Sequence, residues 1–238
     1  MSRMLFLMLL LLPAAFVSGQ NVNSGRKSID VDQMNGPIFM TTSSNTVFPQ
    51  DKYLRVVEGS PFFNNSWLKS NYINPVTKKN VIMRLDLLSN EVHYKDENGN
   101  ILISTTPIKQ LLLVDTVRNI QYHFLHSSVL DSDKKLIDGW YQEIIFGKAS
   151  LYKHHGKQVT ETLPYGQATY EQKIFTVSTY YVMKDNELVK LKKINDLENV
   201  LYERSKEVAA YLKSKKLKGK DDEDYYDTIS MYNQLFTR

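Results

Sequence analysis

The chain has 238 residues, 24% of them charged, a net charge of +4 and no cysteine. The missing thiols exclude disulfides, a cysteine nucleophile, zinc–thiolate ligation and a lipid anchor on an N-terminal cysteine. The small positive charge, one less once Arg3 is removed, gives no electrostatic case for nucleic-acid binding.

Arg3 precedes an apolar run, Met4 to Leu12; Pro13 ends it, and Val17-Ser18-Gly19 supplies the small residues a signal peptidase needs. Residues 1–19 therefore read as a signal peptide, and the protein is expected to be exported. The run is shorter than the ~20 residues a bilayer span needs, and the later Leu111 to Val114 run is shorter still. No integral membrane segment is expected in the mature chain. An exported, cysteine-free chain of this size points to a bacterial envelope: periplasmic, outer-membrane-associated or extracellular. In that setting Asn64-Asn65-Ser66 is not a glycosylation site.

Residues 20–50, rich in Asn, Ser, Thr and Gln and broken by Pro37 and Pro49, read as a partly ordered lead-in. Residues 51–238 read as a single β-rich domain. Lys52 to Val57 is a short strand closed by Gly59-Ser60-Pro61, and Phe62 to Ser70 a packed loop. Val81, Met83, Leu85 and Leu87 alternate with Ile82, Arg84 and Asp86, the period of a half-buried strand. Glu91 to Lys95 and Ile101 to Thr105 flank Asn98-Gly99, which predicts a type I′ hairpin. Ile108 to Asp115 and Arg118 to His126 continue an antiparallel meander.

Trp140 to Phe146 and Ala149 to His154 flank a hairpin at Gly147-Lys148. Lys173 to Met183 is the longest strand, turned by Asp185-Asn186 into Leu188 to Leu191. The apolar period then becomes helical over 193–238. Asn195 with Glu198 predicts a cap, a break is expected near Ser205, and Gly219 is the expected stop. Asp221 to Asp224 open a last helix striped by Tyr225, Ile229, Tyr232 and Phe236. The fold class is α+β: an antiparallel meander or curved sheet followed by two to three C-terminal helices. No fixed-period repeat is evident.

No catalytic residue, metal ligand or cofactor emerges from the patterns. His154-His155 are adjacent and His123 and His126 three apart, so on strands each pair splits between two faces; His93 stands alone. Glu143, among apolar neighbours, is the acid best placed for a raised pKa, though its position also suits the outward side of a strand. Ser127-Ser128 beside His126 is no triad on adjacency alone, and neither G-x-S-x-G nor S-x-x-K occurs. The basic run Lys213 to Lys220 meets the acidic run Asp221 to Asp224, a pairing that suits two helix ends better than an anion site. Phe62, Phe63, Trp67 and Tyr72, with Trp140 and Tyr141, could line a ligand groove or fill the core.

Gly59-Ser60-Pro61-Phe62-Phe63-Asn64-Asn65-Ser66-Trp67 and Val81 to Leu102 around Asn98-Gly99 resemble the first part of a group of uncharacterised secreted envelope proteins of Bacteroidota. Tyr180 to Leu191 running into a helix, and Leu217 to Leu235 with Tyr232-Asn233, are similar to the group's C-terminal part. The resemblance implies a Gram-negative envelope location and brings no catalytic residue with it. The leading expectation is a non-enzymatic protein that binds an envelope protein or an apolar or glycan ligand. The alternatives are a hydrolase of envelope glycans or peptides using Glu143, and a structural component of the outer envelope.

Overall fold

The computed structural model describes residues 39–40, 55–74, 76–104, 107–130 and 136–236. The expected signal peptide and most of the expected lead-in lie outside the described residues, as does Lys52 to Leu54 of the first expected strand. The strands are β1 (Phe39–Met40), β2 (Val56–Glu58), β3 (Leu68–Asn74), β4 (Val76–Asp86), β5 (Glu91–Lys95) and β6 (Ile101–Ser104). They continue with β7 (Gln110–Asp115), β8 (Ile120–His126), β9 (Trp140–Ile145), β10 (Ala149–Thr162), β11 (Glu171–Lys184) and β12 (Glu187–Leu191). Helices are α1 (Ser127–Leu130), α2 (Leu197–Val200), α3 (Ser205–Lys215) and α4 (Asp222–Gln234). None is long and apolar enough to cross a membrane. An α+β fold with one curved, mostly antiparallel sheet and C-terminal helices is consistent with the expected class.

The sheet order is β1-β6-β5-β4-β3-β7-β8-β9-β10-β11-β12, with β2 added parallel to β11. The expected meander running on from Ile101 to Thr105 into Ile108 to Asp115 is corrected: β7 leaves β6 and pairs with β3, so two meanders join edge to edge there. The burial of β7 explains the crossover. Leu111 and Leu113 are sealed, and beside β3 they lie between Met83 and Leu85 of β4 and Phe124 of β8. At the β6 edge they would sit at the rim of the sheet. The expected loop over Phe62 to Ser70 is also shorter than anticipated, since β3 starts at Leu68.

The sheet rolls without closing. Trp140 Nε1 donates to the carbonyl of Asn90 at 3.4 Å, although four strands separate β5 from β9 in the sheet. Gly139 stands at this approach with φ 135°, a backbone conformation that residues bearing a Cβ rarely adopt. The inner face carries two cores. One joins Met83, Leu85, Leu111, Leu113 and Phe124; the other packs Ala149, Leu151 and Val182 against Leu197, Leu201, Val208, Ile229 and Tyr232 of the helical segment. A smaller cluster of Leu125, Tyr141, Tyr152 and Tyr181 occupies the opposite face.

The two-residue period in β4 holds, with Met83, Leu85 and Leu87 buried. Its polar side is not solvent-facing as a half-buried strand would have it: Asp86 is sealed, and Phe62 and Trp67 cover Arg84. The β4–β5 and β7–β8 links are built alike. In Asp86 to Asn90 and Asp115 to Asn119, the aspartate Oδ1 accepts two backbone N–H groups and the asparagine takes positive φ. This local repeat, D-x-x-x-N, is present in the sequence but escapes a search for fixed periods.

The Asn98-Gly99 hairpin is real, but it is not type I′. Asp96 organises a longer loop through the N–H groups of Asn98 and Asn100, and of the pair Gly99 alone has positive φ. The type I′ signature, two successive positive φ values, falls on Asp185-Asn186.

At the C-terminal segment the expected break occurs at Tyr202 to Arg204, just before α3. Asp196, rather than Asn195, caps the preceding turn by accepting the N–H groups of Lys192 and Lys193. Asp221 caps α4 as expected, through the N–H of Asp224 at 3.1 Å. The α3 stop is Lys216 in the left-handed region (φ 57°), not Gly219. Lys216→Gly removes the Cβ strain of that cap and is expected to stabilise the fold by about 0.5–1 kcal/mol in urea denaturation; a loss of stability refutes this account of the cap.

Candidate functional site

The six aromatic residues with groove-lining potential do not share one site. Phe62 lies on the Arg84 guanidinium at 3.5 Å and edge-on to His93 at 5.6 Å. Trp67 receives Arg84 at 4.5 Å and Lys95 at 4.7 Å, and also lines a surface recess of about 350 Å³ with Ile82, Val114 and Arg118. Phe63 turns to the inner face, against Tyr122, Phe124 and His155. Tyr141 is fully buried and donates its hydroxyl to the Ile137 carbonyl, so it is a core residue. Tyr72 is placed in β3 opposite Lys78 and Leu111, and its side chain lies outside the described residues. Trp140 is buried but presents part of its ring to a recess described below.

His93 is not alone. It is sealed beside Asp86, with Nε2 at 3.9 Å from Asp86 Oδ2 and 3.5 Å from Glu91 Oε2. The three could hold a metal ion by donor type and spacing. The surrounding charge opposes it. Arg84, opposite His93 in the β4–β5 register, and Lys157, in the field of Asp86, bring positive charge to the same carboxylates. The other ring nitrogen, His93 Nδ1, finds no acceptor among the described residues of the kind that normally orients a ligating histidine. Burial holds the His93 imidazole below its ordinary pKa, against the opposing pull of Asp86 and Glu91. The cluster is a buried charge network beneath Phe62.

Glu143 has the titratable neighbours that sequence could not place. Its Oε1 is 3.2 Å from His123 Nδ1, and its Oε2 accepts the Tyr152 hydroxyl at 3.3 Å. Cross-strand register explains this, since His123, Glu143 and Tyr152 lie opposite one another on β8, β9 and β10. Burial, with the Glu143 carboxylate beside it, pushes the Tyr152 phenol up to about 12. Glu143 is mostly covered, and it lines none of the recesses described here.

A recess of about 450 Å³ opens where the roll brings β5 toward the start of β9, between β5, the link before β7, and α1. Val92, Pro107, Ile108 and Trp140 give it apolar walls, and Asn90, Ser104, His126 and Ser128 its polar groups. His126 packs edge-on against Trp140 at 5.4 Å. Its Nδ1 lies 3.0 Å from Ser128 Oγ and accepts the Ser128 backbone N–H at 3.3 Å. Its Nε2 faces Asp138 Oδ1 at 3.6 Å. Asp138 is held in turn by the Ser127 hydroxyl at 2.8 Å, while Ser127 and Gly139 are tied through the backbone. The sequence set Ser128 beside His126 without making a site of them; Asp138 comes from the link that folds back into β9, for which no local signal exists.

The remaining features behave structurally. The acidic run folds onto the basic one: Asp224 Oδ2 accepts the N–H groups of Lys218, Gly219 and Lys220. Although burial alone would raise its pKa, these bonds hold the Asp224 carboxyl below the usual range. Lys153 and Tyr180 both bind Asp222, which anchors the start of α4 on the sheet. Lys184, hidden under Tyr202, pairs with Asp185 beside a recess of about 360 Å³.

His154 and His155 fall on opposite faces as expected, against Tyr141 and Phe63 respectively. Burial holds the His155 imidazole down at about 3. A histidine neutral when folded but protonated when unfolded makes stability fall as pH drops below ~6.5, by at most about 1.4 kcal/mol per unit. Denaturation midpoints at pH 7 and pH 5 should therefore converge in His155→Gln; an unchanged difference overturns this assignment.

No protein-family profile, curated protein sequence or solved structure matches this chain.

Proposed function

We propose that this is an exported envelope protein that acts by binding, and that its ligand seats in the recess walled by Trp140. The observation that carries the reading is the make-up of that recess. At about 450 Å³ it has the size of a small-molecule site, with apolar walls and a few polar groups. Two of its apolar walls, Val92 of β5 and Trp140 of β9, stand on strands that the roll ties together through the Trp140–Asn90 bond. Export rests on the N-terminal residues and on the resemblance to envelope proteins.

Native mass spectrometry of the protein purified from its own envelope, followed by extraction, tests the reading. The expected result is one small apolar or glycan molecule at fixed stoichiometry. Pro107→Trp, at an exposed rim position, should fill the mouth and release it. A clean apo mass with the recess unaltered, or retention by the rim variant, overturns the proposal. The protein contains two tryptophans, so Trp67→Phe leaves Trp140 as the sole fluorescent reporter of the recess.

An assembly role has its own support. Leu163, Tyr165 and Tyr170 at the tip of the β10–β11 hairpin, and Phe175 and Val177 below it, are exposed. Light scattering across a concentration series distinguishes it: association that Tyr165→Ser with Tyr170→Ser abolishes supports assembly, and a monomer throughout removes it.

A further inference from the structure

We propose that Ser128, His126 and Asp138 form a nucleophilic centre at the mouth of the Trp140 recess, acting on esters whose acyl chain occupies its apolar walls. The inference rests on the recess being the ligand site and adds the chemistry performed there.

The hydrogen-bond pattern assigns the roles. A backbone N–H can only donate, so the bond from Ser128 N–H makes His126 Nδ1 an acceptor. The neutral imidazole then carries its proton on Nε2, which faces Asp138. Nδ1 also lies 3.0 Å from Ser128 Oγ, and it takes up the hydroxyl proton as its longer 3.3 Å bond from the Ser128 N–H is released, because one lone pair cannot serve both. This is the serine–histidine–carboxylate logic with the two ring nitrogens exchanged. Geometry rather than chain order defines such a centre, and Ser128, His126 and Asp138 come from α1, β8 and the link into β9.

Each group is positioned by something outside itself. The edge-on contact with Trp140 fixes the plane of the imidazole. The Ser127 hydroxyl holds Asp138, and the Ser127 N–H is bound to the Gly139 carbonyl at 2.8 Å, which anchors α1 to the start of β9. Ser128 is exposed at the rim, while Val92, Ile108 and Trp140 lie deeper. An ester carbonyl at Ser128 thus places its acyl chain against the apolar walls and leaves its alcohol toward solvent.

The step balances without a cofactor. Ser128 Oγ adds to the ester carbonyl as its proton passes to His126 Nδ1. The C–O bond to the alcohol breaks, the alcohol leaves with that proton, and an acyl-serine remains. Water then adds to the acyl carbonyl, giving its proton to Nδ1. Collapse releases the carboxylic acid, and the proton returns to Ser128 Oγ. Ser128 and His126 are the catalytic residues, and Asp138 is a positioning residue that acts through His126.

An octyl fluorophosphonate incubated with the full chain tests the proposal. The Ser128 Oγ–P bond forms as P–F breaks and fluoride leaves. The expected result is one adduct per chain, mapped to Ser128, absent in Ser128→Ala and formed at least ~100-fold more slowly in His126→Ala. Asp138→Asn should slow labelling about tenfold, with Asp138→Glu recovering part of the rate at unchanged thermal stability; equal rates in both overturn the role of Asp138. No adduct, or Ser128 labelling within threefold of wild type in His126→Ala, overturns the nucleophilic centre. Quenching of Trp140 by octanoate in Ser128→Ala/Trp67→Phe separates the two readings. Quenching without labelling in wild type sinks the chemistry alone, and labelling without quenching sinks the recess as the seat of the acyl chain.

Discussion

Asp86→Ala is expected to destabilise the protein by about 3–5 kcal/mol, and Asp115→Ala by about 1–2 kcal/mol, although the two aspartates make the same turn. Each Oδ1 accepts two backbone N–H groups across a D-x-x-x-N link. The turn contribution is therefore shared, and the difference lies in the second oxygen. Asp86 Oδ2 is sealed with His93 in the field of the half-buried Arg84 and Lys157, where removing the carboxylate strips His93 of a buried partner and both cations of their anion. Asp115 faces Arg118, which is largely exposed, so water replaces the lost partner. Urea denaturation of both variants decides the matter. Equal losses would falsify the claim that the network beneath Phe62 is a buried charge balance.

Phe124→Ala should cost about 3–5 kcal/mol, the usual range for deleting a fully buried aromatic ring. Phe124 sits where the roll tightens. Phe63, from the segment before β3, meets it at 4.8 Å, and His155 of β10 approaches at 6.2 Å. The cavity would lie between the same face of β8 and β10 and the Phe63 segment laid over it, all held by their own strand pairing, so neighbouring strands cannot easily collapse into it. A double-mutant cycle with Phe63→Leu and Phe124→Leu should show coupling of about 0.5–1.5 kcal/mol. Additive losses would free Phe63 from its structural role and return it to the set of ligand-facing candidates.

Local chemistry was legible from the chain, and long-range closure was not. The alternation in β4 separated Val81, Met83, Leu85 and Leu87 from Ile82, Arg84 and Asp86 without saying which side is buried, and Asp221 declared the start of α4. A two-residue period reports which side of a strand is apolar, but not what later covers the other side; hence Arg84 and Asp86 read as exposed while Phe62 and Trp67 sit over that surface. Asn98-Gly99 misled on turn type because Asp96, two residues earlier, captures the loop backbone with its carboxylate. The β3–β7 crossover left no mark in either strand. The candidate site divided in the same way: Trp140 was legible as a large aromatic, whereas its recess requires β5 and β9 to face each other across the roll.

The β10–β11 hairpin outruns its neighbours. β9 pairs with β10 only through His154, β12 pairs with β11 only back to Tyr180, and β2 touches the far part at Gln172 and Lys173. Between these points the ribbon is two strands wide, and much of its surface is exposed. Its amide protons should therefore exchange with solvent through local openings far cheaper than global unfolding, whereas those of Leu151 and Val182, in the same two strands, should wait for the whole fold to open. One pair of strands thus carries two cooperative units, and a protease could trim the outer one while the rolled sheet and its recess stay intact.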